Sequence, residues 1–250
     1  VFKNHSFMIT LYQFRHSAFC LKVRMALHAK KIPYRIEEVK PGIGQIEIFQ
    51  ISGQKQLPVI KDDNDQIISD SSNICEYIDN KYESNKLFPE DPILLAQSKL
   101  IEDWADTTMA STCKKVLITS ALENPRLRSA LVPDDFPSSI KGVIDKLPFN
   151  NVSKLSNIVL SNKSNIDLQK ILEALSKSLI NKEFLIGDTL SIADISIAAQ
   201  LSLLKFPTSA GPILAGEGCQ EFINNPYLEN IFQWRDNLEE LIFSAKSQKI

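Results

Sequence analysis

Gln56-Leu57-Pro58-Val59-Ile60, followed shortly by Ser69-Asp70-Ser71, is the stretch on which the fold turns. Proline lacks the backbone N–H that a strand ladder needs, so Pro58 at the head of an apolar run marks a strand edge or an unusual turn. Something other than sheet pairing is therefore expected at the backbone of Leu57. Working outward, Leu57 to Lys61 and Gln66 to Ser69 read as two strands around the polar turn Asp62 to Asp65. Asp70 or Ser69 then caps a helix whose apolar face is Ile74, Tyr77, Ile78 and Tyr82.

Upstream, Thr10 to Phe14 alternates as a short buried strand does, and Arg15-His16-Ser17 interrupts it. A helix follows, with Cys20, Val23, Met25, Ala26 and Leu27 on its apolar face and Lys22 and Arg24 expected outward, until Pro33 stops it. Tyr34 to Val39 alternates again, which completes a βαβ unit with an expected right-handed crossover. Ile46, Phe49 and Ile51 suggest a short second helix ended by Gly53. The order of parts is βαβ-α-ββα.

Downstream, Glu83-Ser84-Asn85-Lys86 and Phe88-Pro89-Glu90-Asp91-Pro92 have the polar, proline-bearing composition of a linker. The expected division is a first domain at 8–83, a linker at 84–92 and an all-helical domain at 93–250. Ile93 to Ile118 reads as one long helix with Ala96, Leu100, Ile101, Trp104 and Thr108 on a stripe. Leu168, Ile171, Leu172, Leu175 and Leu179 mark another, capped by Ser164 or Asn165. Between them, 123–165 holds Pro125, Pro133, Pro137 and Pro148 among apolar clusters, too broken for one helix and too apolar for a disordered linker. Ser191 and Asp194 have capping-box spacing, with Leu190 and Ile195 as a flanking staple, so Asp194 reads as a structural cap rather than a catalytic acid. Met8 stands where the first domain is expected to start, leaving Val1 to Phe7 as an arm or an added stretch.

Composition narrows the function classes. The 250 residues are 44% hydrophobic, enough for a proper core, and call for no membrane span. A formal charge of −2, without a basic stripe interleaved with aromatics, argues against nucleic acid as main partner. Four cysteines at 20, 75, 113 and 219 and three histidines at 5, 16 and 28 have no metal-ligand spacing, so no metal is expected. Free thiols in a reducing compartment, with no signal-peptide run, point to the cytoplasm.

Ser17-Ala18-Phe19-Cys20-Leu21-Lys22-Val23-Arg24, then Gln56 to Ile60, then Ser69-Asp70-Ser71-Ser72-Asn73-Ile74 together resemble the glutathione transferase family. So does the later pair Phe184-Leu185-Ile186-Gly187-Asp188 and Leu190 to Ile195. The resemblance implies a thioredoxin-like α/β domain followed by a helical bundle domain, with a cis Leu57-Pro58 bond. It also implies a cytosolic homodimer of the detoxification type, with glutathione as co-substrate and a small electrophile as second substrate. The proline-bearing stretch 123–165 departs from the family pattern, which leaves the electrophile undefined.

Glutathione needs backbone partners for its cysteine, an anion site for its γ-glutamyl carboxylate and a donor at its sulfur. Leu57, beside Pro58, suits the first by β-augmentation. Ser71 and the N–H groups opening the third helix suit the second. Asp70 would face the ammonium group, and Gln56 adds a polar contact. Ser17, at the strand-to-helix turn, is the expected thiol-activating hydroxyl, and its plainer reading is a helix cap alone. Tyr12 competes for that role from the first strand, although its alternation favours core packing. Cys20 ends a C-x-x-C frame whose first position is Ser17, which argues against dithiol chemistry and for a small core residue. His16 has no recognisable triad partner. Tyr12, Trp104, Thr108 and Ser111 are the candidate second-substrate wall, with ordinary packing as the alternative. Three readings follow: a glutathione transferase, a non-catalytic binding or interaction protein of the same fold, and a glutathione-dependent thiol reductase using Cys20.

Overall fold

The computed structural model describes residues 8–40, 43–131 and 162–244. Strands β1 (Ile9–Gln13), β2 (Tyr34–Glu38), β3 (Val59–Lys61) and β4 (Ile67–Ser69) form one sheet in the order β2-β1-β3-β4. β1 and β2 run parallel, with Ile9 opposite Tyr34 and Gln13 opposite Glu38. β3 lies antiparallel to both β1 and β4. The connection from β1 to β2 is α1 (Ala18–Ala29), that from β2 to β3 contains α2 (Ile43–Ser52), and α3 (Ser71–Lys81) follows β4. Side-chain alternation sorts the two faces. Ile9, Leu11 and Ile60 enter the large core with α1 and α3, whereas Tyr12 and Val59 turn to the other face with Val39 and Ile48. Gly53, at φ 73°, ends α2, and the Leu57-Pro58 bond is cis.

The helical half contains α4 (Pro92–Trp104), a π turn (Ala105–Met109), α5 (Ala110–Glu123), α6 (Pro125–Leu131), α7 (Asn162–Ser178), α8 (Ile192–Leu201), α9 (Gln220–Ile223) and α10 (Glu229–Ser244). Every residue of α8 is buried, and α1 packs against both α8 and α10. That packing overturns the expectation for Lys22, because α1 has no outward face at that position. Lys22 is fully buried, and its ammonium meets Asp106 at 2.5 Å, Glu102 at 2.6 Å and the Ser72 hydroxyl at 3.0 Å. Arg24 is half-buried and donates to Gln13 at 3.0 Å.

The stretch from Ile93 to Ile118 is also not one regular helix. One π turn adds a residue at Ala105–Met109, and Ala110 bonds back to Ala105 across it. Asp106 lies on this turn, where it reaches both Lys22 and Ser72. Leu100 is 72% exposed, and Ala96 and Thr108 are exposed as well. The buried face is instead Ser98, Glu102, Ala105, Met109 and Cys113. Glu102 belongs to that face because the buried Lys22 ammonium lies opposite it. In α7 the helix begins by Asn162, so Ser164 and Asn165 are interior positions rather than caps, and Asn165 donates to Glu221. Ile171 is largely exposed, unlike Leu168 and Leu172. Pro133, Pro137 and Pro148, with residues 1–7, lie outside the described residues.

Candidate active site

The turn between β1 and α1 is fixed before it presents anything. Glu38 accepts from the Arg15 backbone N–H at 2.5 Å and from the Gln13 amide at 3.0 Å, and the Ser17 N–H donates to the Phe14 carbonyl at 3.0 Å. Ser17 is the N-cap of α1, its hydroxyl accepting from the Cys20 N–H at a long 3.4 Å. It remains partly exposed, so that oxygen can take a further partner.

The start of α3 supplies a second set of polar groups. Asp70 caps it by accepting from the N–H groups of Ser72 at 3.0 Å and Asn73 at 3.1 Å, both on Oδ1. Its Oδ2 has no hydrogen bond among the described residues and the side chain is exposed. Asp70 holds φ 75°, a conformation costing about 1–3 kcal/mol for a residue with a Cβ. The Ser71 N–H is the first of the helix and has no intrahelical acceptor. Leu57 completes the set, since no backbone hydrogen bond engages it among the described residues.

These groups converge. A cleft of about 570 Å³ is lined by Ser17, Gln56, Leu57, Pro58, Asp70 and Ser71, all six residues singled out from sequence for the first substrate. Phe14, Phe19 and Val39 give it apolar walls, and Lys40, Gln45, Gln54, Lys55 and Lys114 complete it. Sequence reading missed these last five. Lys55 sits within the polar run Gln54-Lys55-Gln56 before Pro58 and was locally findable, whereas nothing near Lys114 in the chain hints at its place.

The second-substrate candidates are not gathered in the same way. Tyr12 packs beside Val39 and Val59, Trp104 lies against the main core, and neither lines the cleft. Thr108 and Ser111 are exposed on the π turn and α5, and the Ser111 hydroxyl donates to the Thr108 carbonyl at 3.0 Å. Cys20 is fully buried, burial pushes its thiol pKa up, and it is absent from the cleft wall. A buried, protonated thiol is a core residue and a poor nucleophile. His16 stacks edge-on against Phe14 and Phe206. Among the described residues no group of three or more His, Cys, Asp or Glu could hold a metal ion, and no helix is long and apolar enough to cross a membrane.

Ser191 and Asp194 are elsewhere, buried in the core at the start of α8. Asp194 accepts from the Ser191 N–H at 2.8 Å, the Ser191 hydroxyl at 2.7 Å and the Leu185 N–H at 2.7 Å. Both oxygens are consumed, as the capping role requires.

Residues 11–86 match the family model of the glutathione S-transferase N-terminal domain. The pyrimidodiazepine synthase of Drosophila melanogaster is 28% identical over 38% of this chain and 40% of its own length. The glutathione S-transferase omega-1 of Sus scrofa is 29% identical over 38% of this chain and 39% of its own. Each alignment therefore spans well under half of the relative. In structure, a β-etherase from Sphingobium superposes with a TM-score of 0.64 over 95% of this chain and 99% of the other, at 21% identity, which speaks to the fold.

Proposed function

Because this chain belongs to the glutathione S-transferase family, in sequence through residues 11–86 and in fold along nearly its whole length, we propose that it is a glutathione transferase acting on a small electrophile. Glutathione occupies the cleft, its cysteine backbone paired with Leu57 and its γ-glutamyl carboxylate at the N–H groups opening α3. Asp70 takes the ammonium group through its unoccupied oxygen, and Gln56 adds a polar contact. Ser17 donates its hydroxyl to the sulfur.

The chemical task is to hold a thiolate at neutral pH. A free thiol titrates near ~8.5, and lowering it by about two units requires roughly 2.7 kcal/mol of preference for the charged form. One hydroxyl donor together with the N-terminus of α1 is of the right size for that. The thiolate attacks the electrophilic carbon, the new C–S bond forms, and the displaced group leaves with its electron pair. The thiol proton goes to solvent.

The observation that carries the reading is convergence with spare valence: the cleft residues present a carboxylate oxygen and a Leu57 backbone that have no hydrogen-bond partner among the described residues, and a weakly engaged hydroxyl. Calorimetric titration with glutathione, followed by turnover with a panel of electrophiles, is the test. One-to-one binding with turnover is expected. Absence of glutathione binding contradicts the reading, and binding without turnover of any electrophile turns it into that of a non-catalytic binding protein.

A further inference from the structure

Three lysines line the cleft, more than the one glutathione carboxylate left over from the start of α3 needs. On the reading above, Asp70 meets the ammonium and the start of α3 meets one carboxylate, while Lys40 and Lys55, which flank α2 in the chain, line the cleft from the first half of the molecule. Lys114 remains. Every other residue lining the cleft lies between positions 14 and 71, so Lys114 is the single contribution of the helical half to its wall among the described residues. It projects from α5, is exposed, and makes no hydrogen bond or ion pair among the described residues. Nothing on its helix neutralises it: within Ala110–Glu123 the neighbouring charge is Lys115, and the only carboxylate is Glu123 at the far end. Asp106, one helical stretch earlier, engages Lys22 and Ser72 through Oδ2, and its Oδ1 is buried.

We infer that Lys114 selects the second substrate, and that this substrate is an apolar or aromatic electrophile carrying an anionic group such as a carboxylate. The inference rests on the glutathione-transferase reading of the same cleft. Phe14 and Phe19 flank Ser17 in sequence and line the cleft with it, so an acceptor at the sulfur meets ring surface on the first-domain side. Among the described residues the helical half adds to that wall an exposed ammonium rather than an apolar patch. A solvent-reached point charge of this kind attracts an anion over several ångströms, and the attraction weakens as salt rises.

A chloronitrobenzoate and its neutral carboxamide make the matched pair that tests this. In both, the thiolate sulfur bonds to the ring carbon and chloride leaves with the electron pair. Wild-type protein is expected to favour the benzoate by about tenfold in kcat/KM, with the preference shrinking as ionic strength rises. Lys114→Met should abolish the preference mainly through KM for the benzoate, change kcat/KM for the carboxamide far less than for the benzoate, and keep glutathione affinity and the pKa of its bound thiol at wild-type values. Lys114→Glu should reverse the preference. Equal use of the two acceptors by wild type, or a preference that survives in Lys114→Met, overturns the inference while leaving glutathione transfer intact. A Lys114→Met variant that loses glutathione affinity or raises the thiol pKa also overturns it, by placing the lysine on the first substrate. Failure of wild type to bind glutathione at all sinks the underlying reading and this inference together.

Discussion

Among the aspartates that stand at helix starts in this molecule, Asp194 and Asp70 are opposites. Asp194 is fully buried at the start of α8, with three donors at 2.7–2.8 Å sharing its two oxygens. Asp70 is exposed at the start of α3, with one oxygen capping the helix and the other free of partners among the described residues. Both cap, yet of the two Asp70 is the one that lines the cleft with Ser17 and Pro58. A saturated carboxylate has nothing left to offer a ligand, so its value is stability. Asp70, held at φ 75° where a side chain is strained, keeps one carboxylate oxygen available to a ligand in the cleft it lines.

The same substitution at both places breaks this comparison if it is wrong. Asp194→Asn places an amide NH2 where donors already point and removes the charge they serve. It should cost about 3 kcal/mol in chemical denaturation, while the folded fraction binds glutathione as before. A cost below about 1 kcal/mol would make Asp194 an ordinary surface-like cap. Asp70→Asn has the smaller and different expected effect. Asparagine caps as well as aspartate and tolerates positive φ, so stability should stay within about 0.5 kcal/mol. Glutathione affinity should nevertheless fall about tenfold through loss of the charge-assisted contact to the ammonium. Saturated turnover should change much less, because that contact is made equally in ground and transition states. Retained affinity with lost turnover would remove Asp70 from the head-binding role.

The contrast also explains what could be read from the chain. Ser17, Pro58, Asp70 and the pair Ser191 and Asp194 act through neighbours a few residues away, and capping and turn chemistry leave local marks. The four-stranded sheet and the order of its parts were legible for the same reason. Lys22 was not, because its partners Glu102 and Asp106 lie 80 and 84 residues away. An amphipathic pattern treats a lysine as solvated until the opposite helix is known. That same blindness rotated the buried face of α4, where Ser98 and Glu102 replace the expected Leu100. Lys114 belongs with these: its meaning comes from a cleft assembled by the other half of the chain. The π turn at Ala105–Met109 has no sequence signature of its own and is visible only in what it aims, the Asp106 carboxylate.

The central claim is that the free valences of the cleft serve a thiolate, and Ser17 carries the sharpest form of it. The measurement is the pKa of the bound glutathione thiol, followed by thiolate absorbance in the ultraviolet, in wild type and in Ser17→Ala. The account predicts a value about two units below the free thiol in wild type, raised by at least about one unit in the variant, with glutathione affinity within a few-fold and turnover reduced. An unchanged pKa and unchanged turnover in Ser17→Ala, with only thermal stability lowered, would show Ser17 to be a helix cap and nothing more.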